Sequence, residues 1–105
     1  MKEIAMFYIP FSSESEATKV GQSLVDLELV ACYNIHGIRS GFLWEEQIVE
    51  EDEYILVAKT SIHLVQKTTE KVEALHSYDC PCIAHWAIQV NEAYGLWIEQ
   101  NTKYV

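Results

Sequence analysis

The stretch that decides the fold covers residues 31–60, "ACYNIHGIRSGFLWEEQIVEEDEYILVAKT". Strand-like apolar runs lie at 30–35 and, most clearly, at 53–60, and "QIVEED" extends the second run back toward Glu45 and Glu46. The pattern predicts a long β-hairpin with a tight turn at these two glutamates. The glycines of "HGIRSG" predict a bend or a bulge in the first strand of the hairpin.

The segment before the hairpin predicts a strand followed by a helix. "EIAMFYI" at 3–9 is a short apolar run closed by Pro10, which is typical of a buried strand. In "SSESEATKVGQSLVDLEL" the apolar residues recur every three or four positions, as on one face of a helix. Ser13 lies three residues before Glu16, which is the spacing of a capping box at a helix N-terminus.

The segment after the hairpin predicts a second helix, a fourth strand and a terminal helix. Thr60 or Ser61 is the expected N-cap of "TSIHLVQKTTEKVEALHS". Residues 81–90, "PCIAHWAIQV", are strand-like, and "NEAYGLWIEQN" is a short helix that Asn91 would cap. One face of the second helix is expected to hold Ile62, Val65, Thr69, Val72 and Leu75.

The order of these elements, β-α-β-β-α-β plus a terminal helix, predicts an α+β chain with a ferredoxin-like antiparallel sheet. We expect one domain over residues 1–105, because a chain of this length fits a single core. Two helices cover one face of such a sheet, yet both alternating sets of "IAMFYI", "YILVA" and "IAHWAI" are largely apolar. The apolar character of the second face therefore predicts a homo-oligomer assembled through sheet faces and strand edges.

Charge and cysteine content limit the classes of partner. The chain carries 16 acidic and 7 basic residues, a net charge of −9, which repels phosphate backbones and anionic lipids. We therefore expect neither a nucleic-acid partner nor a membrane partner. "MKEIAMFYIPF" has too few apolar residues for a signal peptide or a membrane span. Three cysteines, an odd number, suggest free thiols. A cytoplasmic location is the expectation.

The hairpin sequence resembles that of CutA proteins, and the resemblance covers nearly the whole chain. "HSYDCPCI", residues 76–83, is similar to the His-Pro-Tyr-x-x-Pro-Glu-Ile segment of the same family. The resemblance implies a CutA-like domain that forms a homotrimer related in architecture to the PII signalling proteins, with a role in divalent-cation tolerance and in copper binding. The hairpin residues that carry it are Ala31, Cys32, Gly37, Ser40, Trp44, Glu45, Ile48, Glu53, Lys59 and Thr60.

Three positions depart from the family pattern. Ser77 replaces the usual proline, and Cys82 replaces the usual glutamate. Glu46 replaces the usual glycine of the hairpin turn, and a turn that needs a positive φ would strain a glutamate there. The sequence therefore predicts a different type of turn at this position.

The segment 76–83 holds the candidate metal ligands His76, Cys80 and Cys82. Pro81 favours an extended backbone, which would set the two cysteines on one side of a strand with Cα atoms about 6.5 Å apart. Thiolates and a neutral imidazole suit copper(I), or zinc as the alternative. His76 would join them if the intervening turn folds back, and the resemblance implies a ligand at His76.

Two other readings of these residues stay open. Free cysteines are often buried as small apolar residues, and this is the expected state of Cys32 in particular. The chain would then be a trimeric PII-like signalling or scaffold module without intrinsic metal function. We expect no enzyme, because no glycine-rich turn near the cysteines offers backbone amides to a developing oxyanion.

Overall fold

The computed structural model describes all 105 residues of the chain. It confirms the α+β, ferredoxin-like architecture: a four-stranded antiparallel sheet in the order β2-β3-β1-β4, with three helices. No helix has the length and the apolar character that crossing a membrane requires. The elements are β1 (Lys2–Phe11), α1 (Glu14–Asp26), β2 (Cys32–Trp44), β3 (Gln47–Thr60), a 3-10 turn (Ile62–Leu64), α2 (Val65–Leu75), β4 (Ala84–Val90) and α3 (Glu92–Gln100).

The core lies between one face of the sheet and the helices α1 and α2. Alternate residues of β1 and β3 point into it, because successive side chains of a strand face opposite sides of the sheet. Eleven apolar side chains form this cluster, and each is at most 4% exposed. They are Phe7, Ile9, Phe11, Ala17, Val20, Leu24, Leu29, Val30, Leu56, Ala58 and Val72.

Helix α1 is capped at both ends. At its start, Ser13 Oγ accepts a hydrogen bond from the backbone N–H of Glu16 at 3.1 Å, which confirms half of the predicted capping box. At its end, Glu28 has a φ of 60°, and the N–H groups of Glu28 and Leu29 donate to the carbonyls of Val25 and Leu24. This is a Schellman motif with a glutamate at the position that glycine usually occupies.

Helix α2 turns only part of the predicted face to the core, since Val72 is buried and Val65 packs against the core cluster. Ile62 and Leu75 are exposed, whereas Leu64, Thr68 and Val72, spaced four residues apart, are buried. Ile62 and Leu64 lie in the 3-10 turn, whose tighter winding directs their side chains differently from the α-helical spacing.

The register of β2 and β3 is unbroken, so a bulge in the first strand of the hairpin is excluded. Every residue from Cys32 to Trp44 pairs in unbroken register with β3, Gly37 and Gly41 included. Gly37 lies in the ladder beside the Tyr54 ring, where an added Cβ would make only ordinary contact at 3.5 Å. The two glycines are therefore accommodated within a continuous ladder.

The hairpin turn has a positive φ at Glu46, contrary to the expectation that a glutamate would avoid one. Glu45 and Glu46 have φ values of 48° and 66°, so both occupy the left-handed region, as in a type I′ turn. The twist of the two long strands favours this turn, although it strains two non-glycine residues.

The outer half of the hairpin extends beyond the rest of the sheet. β1 pairs with β3 only from Tyr54 to Thr60, so residues 38–53 form a two-stranded arm with no third strand. The molecule measures 46 × 25 × 20 Å, and its radius of gyration of 14.5 Å exceeds the roughly 13 Å typical of a compact chain of this length. The arm exposes the large apolar side chains of Phe42, Leu43, Trp44 and Ile48.

Helix α3 covers one end of the second sheet face. Gly95 lies directly on β1, since an added Cβ would be 2.7 Å from the Cβ of Lys2. Tyr94 lies over the first pair of the β2–β3 ladder, Cys32 and Lys59. The chain thus supplies part of the cover that this face requires, but Trp86 on β4 remains 44% exposed.

Candidate functional site

The imidazole of His76 is the anchor of the segment 76–83. Its Nε2 lies 2.7 Å from the carbonyl oxygen of Pro10, and its Nδ1 accepts a hydrogen bond from the backbone N–H of Tyr78 at 3.1 Å. Because a carbonyl only accepts, Nε2 carries the proton and the ring is the neutral tautomer. The ring stacks on Phe11 with centroids 4.3 Å apart, and its side chain is fully buried.

Ser77 fixes the next residue of the segment to helix α1. Its backbone N–H donates to Oε2 of Glu16 at 2.9 Å, and its Oγ donates to Oε1 of the same carboxylate at 2.8 Å. A proline at this position would provide neither donor. The departure from the family pattern at Ser77 therefore creates a two-point attachment that the usual residue does not allow.

Tyr78 ties the segment to the base of the arm. Its hydroxyl donates to Oε2 of Glu53 at 2.7 Å, just beyond the last β3 residue that pairs with β1. Burial, followed by the hydrogen bond to Glu53, raises the pKa of Tyr78 above its usual value. Three successive residues thus bind the start of the segment to β1, α1 and β3.

The two cysteines of the segment are exposed. Cys80 and Cys82 are free thiols, and β4 begins only at Ala84, so the predicted strand starts three residues too early. No three His, Cys, Asp or Glu side chains of the chain lie in an arrangement that could hold a metal ion. The ligand set of His76, Cys80 and Cys82 is not assembled within one chain and stays a prediction.

Sequence reasoning missed two residues of this site, Glu16 and Glu53. The sequence indicates only a capping role for Glu16, yet its side chain contacts Ser77, 61 residues away. The replacement of proline by Ser77 was the available signal, because it adds two donors that need an acceptor. Nothing in the sequence marks Glu53 as the partner of Tyr78.

Comparison with known proteins agrees with this arrangement of elements. The family model described as CutA1 divalent ion tolerance protein matches residues 5–101. The chain belongs to this family. The divalent-cation tolerance protein CutA of Thermus thermophilus is 36% identical over 104 residues, covering 97% of this chain and 99% of that protein. The protein of the same name from Archaeoglobus fulgidus is 37% identical over 97 residues, covering 91% and 95%.

A solved member of the family has nearly the same backbone. The crystal structure of the divalent ion tolerance protein CutA1 from Ehrlichia chaffeensis matches with a TM-score of 0.93 and 32% identity, covering 97% of each chain. The chain therefore has both the sequence and the fold of a CutA divalent-cation tolerance protein. The resemblance of the hairpin to CutA proteins is confirmed and extends over residues 5–101.

Proposed function

We propose that this CutA protein acts in divalent-cation tolerance as a homotrimer that binds copper, with zinc as the alternative. The observation that carries the metal proposal is the pair of free, exposed thiols, Cys80 and Cys82, on a segment held firmly at its start. Thiolates are soft ligands that favour copper(I), and copper(I) needs fewer ligands than the four typical of a structural zinc site. The two thiols therefore fit copper better than zinc.

The role of His76 in this proposal is to hold the segment in place. Both of its ring nitrogens already have partners, so it could bind a metal only by giving up a hydrogen bond to Pro10 or Tyr78. A metal ligand needs a free nitrogen lone pair, and the only lone pair of this tautomer accepts the Tyr78 N–H. We therefore assign the thiolates as the binding atoms and His76 as their support.

The trimer proposal rests on the arm of residues 38–53. A two-stranded hairpin is at best marginally stable in water, and this one exposes Leu43, Trp44 and Ile48 at 72%, 63% and 82%. Packing against copies of the same chain would cover these side chains in a closed, symmetric assembly. The number three follows the resemblance to CutA proteins, and the free thiols agree with a reducing, cytoplasmic location.

A second candidate function is a trimeric PII-like signalling or scaffold module without intrinsic metal function. The saturated hydrogen bonding of His76 favours this alternative, because the residue at which the resemblance implied a ligand is used inside the fold. We expect neither candidate to be an enzyme.

Calorimetric titration with copper(I), kept reduced, separates the two candidates. We expect binding near one ion per subunit in the wild type, loss of binding in Cys80→Ser/Cys82→Ser, and unchanged binding in the matched control Cys32→Ser. Equal heats for the wild type and the double variant would refute the thiol site, and the absence of any heat in the wild type would favour the scaffold. Light scattering on the same samples should give three times the chain mass of 12.1 kDa.

A further inference from the structure

Cys80 and Cys82 are two thiols separated by a single residue, Pro81. Both thiols are free, and both side chains are exposed. Cα atoms two positions apart on a chain are separated by at most about 7 Å. Cα atoms joined by a disulfide usually lie roughly 4.4–6.8 Å apart. The chain therefore needs only a slight bend from its most extended form to bring the two cysteines within the range of a disulfide.

The backbone around these two cysteines is free to make that adjustment. Residues 79–82 belong to no helix or strand, and neither their backbone groups nor their side chains make a hydrogen bond within the chain. The residues on either side are fixed, because Tyr78 is hydrogen-bonded and Ile83 packs against the core cluster. A bond between Cys80 and Cys82 therefore breaks no hydrogen bond of the fold.

The third cysteine, Cys32, lies in a different setting. It begins β2, where it pairs with Lys59 of β3, and its Sγ lies 3.4 Å from the hydroxyl oxygen of Tyr94. Burial, and next this contact, raise the pKa of Tyr94 to about 12. Cys32 is partly exposed, so its expected burial in the core is wrong. No other cysteine is near it in the sequence, so it serves as an internal control for a single thiol.

We propose that Cys80 and Cys82 form a reversible intrachain disulfide by exchange with small disulfide molecules. One of the two cysteines, as its thiolate, attacks a sulfur of the small disulfide, whose S–S bond breaks and whose other half leaves as a thiolate. The second cysteine then attacks the protein sulfur of this mixed disulfide and releases the remaining half. The two cysteine sulfurs are oxidised, and the small disulfide is reduced to two thiols, which take up the two cysteine protons.

The disulfide regulates the metal site, a consequence that rests on the proposed function. The bond removes both thiolates, which are the assigned binding atoms, so the oxidised protein does not hold copper(I). Exposed disulfides are readily reduced by thiols, and the disulfides of cytosolic proteins are usually transient or redox-sensing. The segment thus binds the metal under reducing conditions and releases it under oxidising ones.

Thiol–disulfide exchange on the metal-free native protein tests the proposal. Hydroxyethyl disulfide is a suitable probe because it is uncharged, whereas Asp79 and the net charge of −9 would repel an anionic disulfide. Trypsin, which cleaves after lysine and arginine, yields a peptide of residues 72–103 that holds both cysteines of the segment but not Cys32. After acid quenching and alkylation, we expect mass spectrometry to show this peptide two hydrogens lighter than its dithiol form. A reducing thiol should restore the dithiol.

Cys80→Ser and Cys82→Ser are the matched variants, because each keeps one thiol and loses the other. Without the second thiol the reaction stops at the mixed disulfide. We expect this adduct to accumulate about tenfold more in either variant than in the wild type, where the neighbouring thiol acts at a high effective concentration. Cys32→Ser should behave as the wild type. A stable mixed disulfide in the wild type, or a bond between two chains on a non-reducing gel, would overturn the proposal.

Calorimetric titration with copper(I), without oxygen or added thiol, separates failure of this inference from failure of the proposed function. We expect the reduced wild type to bind copper(I) and the oxidised wild type to lose this binding. No disulfide in a protein that binds copper(I) would overturn the inference and leave the proposed function intact. A disulfide in a protein whose reduced form binds no copper(I) would support the bridge, overturn its regulatory consequence and refute the proposed function.

Discussion

Single side chains determine how firmly the cysteine segment is held. Glu16 contributes most to this attachment, because its carboxylate accepts hydrogen bonds from both donors of Ser77. The backbone N–H of Glu16 also donates to Ser13 Oγ. Hydrogen bonds to a charged acceptor are roughly twice as strong as neutral ones. The attachment of the segment therefore depends on the charge at this position as well as on its shape.

Replacing Glu16 with glutamine should weaken this attachment. Glutamine keeps one oxygen acceptor but loses the charge and the second acceptor, so we expect the free energy of unfolding to fall by about 1–2 kcal/mol. Urea denaturation measures this change. Glu14→Gln is the matched control, because it removes a charge from the same helix turn without a contact to Ser77, and equal losses in the two variants would argue against the attachment.

Replacing His76 with phenylalanine should keep the aromatic ring and remove its hydrogen bonds. The stack on Phe11 is kept, but the Pro10 carbonyl and the Tyr78 N–H lose their partners. Each of the two unsatisfied groups costs about 1–3 kcal/mol, so we expect a total loss of roughly 2–6 kcal/mol. Thermal or urea unfolding measures it, with the exposed His63→Phe as control. A loss below that of the control would exclude an anchoring role.

Stability should fall at alkaline pH because of Tyr78 and Tyr94. The fold raises the pKa of both tyrosines. Their contribution is complete below the unfolded pKa of about 10, and it is lost as the pH rises above 10, where the unfolded chain releases protons that the folded chain retains. Each group contributes a slope of at most about 1.4 kcal/mol per pH unit. Urea unfolding between pH 9 and 12 should show a shallower fall in Tyr78→Phe than in the wild type, and parallel curves would contradict the prediction.

The sequence reveals the kind of residue at a site better than its partner. It marked His76 as unusual and Cys32 as a core thiol, but the partners of these residues lie far away, at Pro10 and Tyr94. Whether a histidine nitrogen or a thiol is free depends on such long-range contacts, which no local pattern encodes. The ligand-type residues could thus be predicted, whereas their hydrogen bonding could not.

Among the elements, the hairpin turn stores the clearest strain. Glu45 and Glu46 both adopt a positive φ, and the left-handed conformation costs about 1–2 kcal/mol for a residue with a Cβ. The regular ladder of β2 and β3 imposes this conformation, since a type I′ turn matches the twist of the strands.

Glycine at position 46 should relieve the strain. Glu46→Gly removes the Cβ at a φ of 66°, and after the entropic cost of glycine we expect a gain of about 0.5–1 kcal/mol in the free energy of unfolding. Gln47→Gly is the matched control, because position 47 is a strand residue and glycine there should destabilise. Urea unfolding of both variants measures the change in the free energy of unfolding. A loss of stability in Glu46→Gly would show that the turn is not strained.

Periodicity predicted the kind and order of the elements, but it failed on their finer geometry. Gly37 and Gly41 suggested a bulge because glycine often marks one, yet the pairing of thirteen consecutive residues outweighs that preference. The exposure of Ile62 could not be predicted, because apolar spacing does not distinguish a 3-10 turn from the first turn of an α-helix. Both errors concern local geometry that tertiary contacts decide.

For the whole molecule, the arm of residues 38–53 is the feature that the chain alone does not stabilise. Its exposed apolar side chains and its lack of a third strand are consistent with a surface that packs against other copies. A charge placed at the most exposed of these side chains therefore tests the assembly while leaving the core untouched.

Ile48→Asp should disrupt the proposed homotrimer. Ile48 is 82% exposed in the single chain, so a monomer would tolerate aspartate with little change in stability, whereas a buried interface would not. We expect light scattering to show a shift from the trimer toward the single-chain mass. Glu50→Gln, also on the arm, is the control. A full trimer in Ile48→Asp would remove Ile48 from the interface.

An arm that depends on neighbouring copies has a consequence for the folding of the chain. If residues 38–53 are ordered only in the assembly, then folding and association form one equilibrium, and its position follows the law of mass action. Dilution then favours unfolding, and the melting temperature depends on the protein concentration as well as on the sequence.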